Sequence, residues 1–250
     1  MIELNWQLKN PIDAIVFDCD GTLTEIEGID ELARNNGVGD VVAALTEEAM
    51  SQTGLNADLY KQRLDLVRPT QAQVLALGQK YYERRIIDVD QVIAILQKLN
   101  KSVYIISAGL LPAVSYFGNL LHVPTQNIFA VNIQFDSRGH FSAFDDTSPF
   151  VTVSGKRVIV NELKKLHSTI AYTGDGLNDY EVYDLVTRFV GFGGAFYRDN
   201  IASRCSYYIS TLSMAPILPL LLTQQEYSEL FPGEKKLYER GLMLLMKGAS

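Results

Sequence analysis

The chain has 250 residues, 47% of them hydrophobic and 20% charged, with a formal net charge of −7, which suits one large α/β domain or a core carrying a small second domain. The acidic excess argues against nucleic-acid and anionic-membrane partners. No apolar run approaches the ~20 residues of a bilayer span, and the early Glu at the start does not read as a signal peptide, so a cytoplasmic protein is expected.

The first apolar run, IDAIVF (12–17), is short and β-branched, reads as a buried parallel strand, and stops at the two aspartates of DCDGTLT, Asp18 and Asp20. From about Glu27 to Asp88 helical patterns replace strands: Leu32, Val41, Leu45 and Ala49, then Leu59, Leu64 and Val67, then Val74 and Leu75. That is too long for a loop in a compact domain. Residues 27–88 are therefore predicted to form a helical cap inserted over the carboxyl end of the first strand.

Val92, Leu96 and Leu99 mark the next helix, before the strand SVYIIS (102–107) and the SAG of 107–109. VNIQFDSRGHFSAF (131–144) alternates about Asp-Ser-Arg-Gly and predicts a β-hairpin. Gly155 and Lys156 open a helix carried by Ile159, Leu163 and Leu166. STIAYT (168–173), with TGDGLND (173–179) at its end, RFVGF (188–192) and SYYIS (206–210) complete the strands. Strand alternating with helix predicts an α/β fold with a doubly wound parallel sheet, its core formed by residues 1–26 and 89–222. Residues 223–250 fall outside the alternation as a C-terminal extension. In it EKKLYERGLMLLMK (234–247) predicts a helix whose apolar face, Leu237, Leu244 and Leu245 with Met243 and Met246, packs on the core or on a partner subunit of a homodimer. Cys19 and Cys205 fit no metal spacing and read as free thiols.

In open α/β sheets ligands bind beyond the carboxyl ends of the strands. Asp18 and Asp20, Ser107 to Gly109, and the stretch from Thr173 to Asp179 all end strands, and Lys156 opens a helix whose start can face the same edge. Alone, an Asp-x-Asp is a turn or an N-cap, a Gly-Asp-Gly is a tight turn, and a Lys or a Ser here is a solvated or capping residue. Together, in this order, they converge on one crevice. Carboxylates from two strands repel unless a divalent cation joins them, and hard oxygen ligands suit Mg²⁺ with a phosphate. One carboxylate can then attack phosphorus and a second can carry the proton. The hydroxyl, the ammonium and loop N–H groups can hold the phosphoryl oxygens.

These four motifs resemble those of the haloacid dehalogenase superfamily. EGIDELA (27–33), RLDLVRPT (63–70) and GFGG (191–194) extend the resemblance to its phosphoserine phosphatases over about residues 10–222. The resemblance implies a Mg²⁺-dependent phosphomonoester hydrolase of serine biosynthesis acting through an aspartyl-phosphate. Asp18 would be nucleophile and metal ligand. Asp20 would be general acid/base, lending its carbonyl to the metal. Asp175 would be the third ligand, supported by Asp179. Ser107, Gly109, Asn178 and Lys156 would surround the phosphoryl group, Glu27 would meet the substrate ammonium and Arg63 its carboxylate. A carboxylate and a guanidinium are the physical complement of an amino-acid end.

The chain departs from the pattern at Gly21, in place of Ser, and at Ala108, in place of Gly. Asn56 stands where a Phe packs in the cap pocket, which implies a more polar wall, and Arg157 competes with Lys156 for its register. Two further readings use the same motifs. One is a phosphotransferase passing the group to an acceptor such as homoserine. The other is a non-catalytic module binding a phospho-ligand, which the ~60-residue insert and the intact aspartates disfavour.

Overall fold

Strand β1 (Ala14–Phe17) is buried at every residue and lies at the centre of a parallel sheet. The computed structural model describes residues 6–48 and 55–248, so Ala49 of the cap pattern lies outside the described residues. Four helices come after β1: α1 (Gly28–Asn35), α2 (Gly39–Glu47), α3 (Ala57–Val67) and α4 (Gln71–Glu83). Asn56 caps α3 by accepting the Leu59 N–H at 2.9 Å. Thr70 and Gln73 form a capping box that starts α4. Leu32, Leu59, Leu64, Val67 and Val74 are buried as the periodicity predicts. Val41 and Leu75 are not: α2 turns Val42 and Thr46 inward, one step out of phase with the expected face, and α4 pairs Val74 with Leu77 rather than Leu75.

Helix α5 (Val89–Lys98) leads to β2 (Ser102–Leu110), α6 (Leu111–Leu120) and β3 (Ile128–Val131). Strand β2 runs past Ser107, where the sequence pattern ends it, with a register shift between Ile106 and Leu110 that re-aims the side chains there. The sequence pattern does not separate β3 as a strand of its own. Its apolar residues run straight into the hairpin pattern, which the structure divides into β3 and an antiparallel pair, β4 (Ile133–Phe135) and β5 (Phe141–Phe144). The hairpin props the helices: the Gln71 N–H donates to Gly139 O at 2.9 Å, and the Phe144 ring lies 5.3 Å from that of Tyr60.

The chain continues through α7 (Gly155–Leu163), β6 (Ile170–Gly174), α8 (Leu177–Tyr180), β7 (Arg188–Phe192), α9 (Asp199–Ala202) and β8 (Tyr208–Ile209). Leu166 lies beyond the end of α7 and is 73% exposed, so it does not extend that helix's apolar face. The six strands run parallel in the order β3-β2-β1-β6-β7-β8. Between β2 and β6 the order reverses about β1, which opens a crevice at its carboxyl end.

The extension forms α11 (Gln224–Glu229) and α12 (Pro232–Gly248) after α10 (Ile217–Leu221). Leu237 and Tyr238 are buried and Leu245 packs against the core, whereas Met243 and Met246 are more than half exposed. The tail therefore lies on its own core. Buried Lys101 anchors it, pairing with Glu226 and donating to Ile12 O at 2.9 Å. Cys19 and Cys205 are free. No helix among the described residues is long and apolar enough to cross a membrane.

Candidate active site

Asp18 comes directly after β1, and its N–H donates to Thr173 O at 2.9 Å, so the parallel pairing with β6 carries it to the crevice. The chain then wraps around Cys19 O, which accepts the N–H groups of Thr22, Leu23 and Thr24 at 3.2, 2.9 and 3.2 Å. Gly21 sits in this turn at φ +70°, and a Cβ there would lie 2.6 Å from Asp175 Oδ2. The positive φ and the closeness of Asp175 both suit glycine at this position.

The turn separates the two carboxylates. Asp20 points toward the helices: its Oδ1 accepts the Gly28 N–H and the Tyr81 hydroxyl, both at 2.6 Å. Its Oδ2 accepts from Ser107 Oγ at 3.3 Å. The Gly109 N–H in turn donates to Ser107 Oγ at 2.8 Å. Asp18 points the other way, toward Lys156, whose Nζ lies 2.6 Å from Asp18 Oδ1 and 2.6 Å from Asp179 Oδ1. Lys156 is 1% exposed, while Arg157 turns outward to Asp184, with Nη2 3.0 Å from Oδ2. Of the two neighbours, it is Lys156 that reaches the crevice. Asp179 is held in place, because Oδ1 also accepts from Tyr172 Oη at 2.8 Å and Oδ2 accepts the Gly176 N–H at 3.0 Å.

Burial drives the Asp18 carboxyl well above the usual range, helped by the Asp179 charge and opposed by Lys156. Burial likewise raises Asp175, against the pull of Arg198. It raises Asp20, against hydrogen bonds from Tyr81, Gly28 and Ser107. Burial alone would lower Lys156, but Asp179 and Asp18 more than offset it and keep the ammonium charged. Five carboxyl groups, Asp18, Asp20, Glu27, Asp175 and Asp179, gather here with three cations, Lys156, Arg63 and Arg198.

Asp18, Asp20, Glu27, Arg63, Ser107, Gly109, Asp175 and Asn178 all line one cavity of about 40 Å³. Lys156 and Asp179 stand behind it, reached through Asp18. Ile29, Leu64, Leu77 and Leu110 supply apolar wall. Asn56 does not line it; its side chain is spent on capping α3, so the more polar wall expected from this residue is not found. Arg63 is 4% exposed, forms no ion pair among the described residues, and leaves its Nε without a hydrogen-bond partner. Asn178 Oδ1 is likewise unpartnered. Buried polar atoms of this kind are costly unless a ligand meets them.

No motif of the sequence singles out Arg198. It lies just past β7, pairs with Asp175, and reaches Glu27 Oε1 at 3.5 Å. Its only signal is a basic residue after a strand end in an acidic crevice. Tyr60, Tyr81 and Tyr172 also stand outside the motifs and carry hydroxyls into the site region.

One oxygen each of Asp18, Asp175 and Asp179 lies within 4.8 Å of the others, all three residues buried. Three buried carboxylates with hard oxygens and incomplete neutralisation fit a divalent cation such as Mg²⁺. Asp18 and Asp175 line the cavity and are placed to meet such an ion there, with Asp179 behind them, while the Asp20 carboxylate is held by Gly28, Tyr81 and Ser107.

Residues 12–182 match the haloacid dehalogenase-like hydrolase family. The chain is 34% identical over 200 residues to the phosphoserine phosphatase of Bos taurus, covering 79% of this chain and 89% of that one. To the chloroplastic phosphoserine phosphatase of Arabidopsis thaliana it is 32% identical over 209 residues, covering 81% and 70%. Its fold is similar to that of a substrate-bound phosphoserine phosphatase structure, with a TM-score of 0.73 at 21% identity, over 86% of this chain and all of that one.

Proposed function

Because the chain belongs to the phosphoserine phosphatase family of haloacid dehalogenase-like hydrolases, we propose that it hydrolyses L-phosphoserine to serine and phosphate through an aspartyl-phosphate on Asp18, a step of serine formation. The observation that supports this most is the shared cavity. The Asp18 and Asp20 pair opens onto the same enclosed space as Glu27 and the unpaired Arg63.

The phosphoryl group sits against Asp18, with Ser107 Oγ, the Gly109 N–H and the Asn178 side chain around its oxygens. Lys156, bonded to Asp18 Oδ1, orients that carboxylate and lends positive charge to the reaction centre. A bound Mg²⁺, held by Asp18, Asp175 and the Asp20 carbonyl, would supply further charge neutralisation for the phosphoryl oxygens. An Asp18 oxygen bonds to phosphorus as the bond from phosphorus to the serine oxygen breaks, and Asp20 gives that oxygen its proton. In the second half, Asp20 takes a proton from water as the water oxygen bonds to phosphorus and the Asp18 ester breaks. Phosphate leaves and both carboxyl groups return to their starting states.

At the far end Arg63 takes the carboxylate, which completes its hydrogen bonding. Glu27 takes the ammonium. The Glu27 carboxyl is raised by burial and by Asp175 and Asp20, so a bound cation would favour its ionised form. The helices after β1 cover this cavity and act as a cap that opens to admit the substrate and closes to keep bulk water from the aspartyl-phosphate.

The test is phosphate release from a panel of small phosphomonoesters, with and without Mg²⁺ and with serine or homoserine as acceptor. L-Phosphoserine should be preferred, Mg²⁺ required, and water the main acceptor. Transfer to homoserine in place of phosphate release would make the protein a phosphotransferase. No preference for phosphoserine would refute the substrate assignment.

A further inference from the structure

Tyr81 is fully buried in α4, lines the cavity, and donates its hydroxyl to Asp20 Oδ1 at 2.6 Å. Its ring is set against Phe117 of α6, with centroids 5.8 Å apart. The residue facing the hydroxyl is Gly28, where a Cβ would fall 1.9 Å from Tyr81 Oη. Only a glycine lets the tyrosine hydroxyl and the Gly28 N–H reach the same carboxylate oxygen. The three groups are thus fitted to one another: a glycine at the start of α1, a tyrosine in the later turns of α4, and Asp20 on the core. No motif of the sequence marks Tyr81.

Two donors on Oδ1 fix the chemistry of the other oxygen. With Oδ1 occupied by the Tyr81 and Gly28 hydrogens, a proton on Asp20 belongs on Oδ2. That oxygen faces Ser107 Oγ at 3.3 Å, on the side where the phosphate ester would lie. A carboxyl free to rotate would offer its proton in the right place only part of the time.

We infer that Tyr81 is a positioning residue of the reaction: its hydroxyl locks the Asp20 carboxyl in the rotamer that presents the Oδ2 proton to the leaving oxygen. Tyr81 is itself held from the core side, because its ring packs on Phe117 of α6 and the chain just past α4 is tied to the turn after β1, the Glu25 N–H donating to Arg84 O at 2.8 Å. The inference rests on the reading of Asp20 as the general acid.

The experiment compares two esters in the full-length protein. The serine of L-phosphoserine leaves as an alkoxide that needs a proton, whereas p-nitrophenolate leaves without one. The ratio kcat/KM reports the steps up to phosphorylation of Asp18. Tyr81→Phe keeps the ring against Phe117 and removes only the hydroxyl. It should lower kcat/KM for L-phosphoserine by about tenfold or more, because this hydrogen bond strengthens as Asp20 gives up its proton and becomes charged in the transition state, and change kcat/KM for p-nitrophenyl phosphate by less than about twofold. The melting temperature should move little. An equal loss on both esters would show that Tyr81 merely holds the cap in place and would overturn the inference, as would an unchanged value for L-phosphoserine. Asp20→Asn, measured in parallel, should show the same selectivity more strongly. If it does not, the acid role of Asp20 fails and the inference fails with it, while a Tyr81-only failure leaves the proposed function standing.

Discussion

Lys156 Nζ lies 2.6 Å from Asp18 Oδ1, deep beneath the carboxyl end of the central strand and out of contact with solvent. The lysine faces a second carboxylate, Asp179, at the same distance. One ammonium thus ties the start of α7 to the end of β1 and to α8. Lys156→Ala would leave two buried carboxylates in mutual repulsion and remove a cation from the reaction centre. Its expected effect is a loss of activity of about 10²-fold or more. Arg157→Ala breaks only a surface pair and should stay within about twofold of wild type. Steady-state rates of the two variants decide between the neighbours, and a larger effect at Arg157 would reverse the register.

The acidic cluster should make the fold itself sensitive to Mg²⁺. A ligand that binds only the folded state stabilises it by about 2.7 kcal/mol at roughly 100 times its Kd, worth roughly 5–10 °C in a domain of this size. Thermal melts with and without Mg²⁺ should show such a rise in the wild type and little in Asp175→Asn. The variant keeps the shape of the side chain but loses the charge. A rise of equal size in both proteins would remove Asp175 from the metal site.

Substrate choice should depend on the unpaired guanidinium in the cavity. A hydrogen-bonded charged contact is worth about 1.5–3 kcal/mol, which is roughly 10–150-fold. Arg63→Ala should lose that much kcat/KM on L-phosphoserine and almost none on a phosphomonoester with a neutral tail. Glu27→Gln should discriminate in the same way between esters with and without an ammonium group. If Arg63→Ala leaves the ratio of the two substrates unchanged, the amino-acid end is not bound there.

The tail should be part of the folding unit. Lys101 is buried against Glu226 of α11 and Ile12 O. Removing one member of a buried pair leaves an uncompensated charge and costs about 3–5 kcal/mol. Glu226→Ala, or truncation after Leu222, should therefore lower stability to urea by that order. The double change Lys101→Met, Glu226→Met should cost less than Glu226→Ala alone. A truncated chain as stable as the whole would show the tail to be dispensable.

Much of the fold and of the site is legible in the sequence, for a physical reason. A strand buried on both faces is a run of apolar residues, and the residues just after it must face the ligand edge of the sheet. Asp18 and Asp175 can be placed by that rule alone, and Ser107 by the end of its apolar run, although β2 itself runs on to Leu110. Glu27 and Arg63 cannot: as helix charges they look solvated, and only the family resemblance marks them. The features that stay hidden lie where tertiary contact overrides local pattern. The β3 strand merges with the hairpin signal. Val41 and Leu75 fall on the wrong side of their helices when apolar spacing alone assigns the faces. Arg198 and Tyr81 obey no spacing, since each acts on a residue remote in the chain: Arg198 on Glu27, 171 positions away, and Tyr81 on Asp20, 61 away.

The central claim is that Asp18 forms the bond to phosphorus, and the most direct measurement is Mg²⁺-dependent phosphate release from L-phosphoserine by the wild type and by Asp18→Asn, side by side. Phosphate-monoester hydrolysis is so slow uncatalysed, needing up to ~10²¹-fold acceleration, that little should survive without the covalent route. The expected result is robust turnover by the wild type and none detectable above background in Asp18→Asn, with a phosphorylated protein trapped only in the wild type. Retention of more than about a tenth of the activity in Asp18→Asn, a change of only ~1.4 kcal/mol in the barrier, would contradict it.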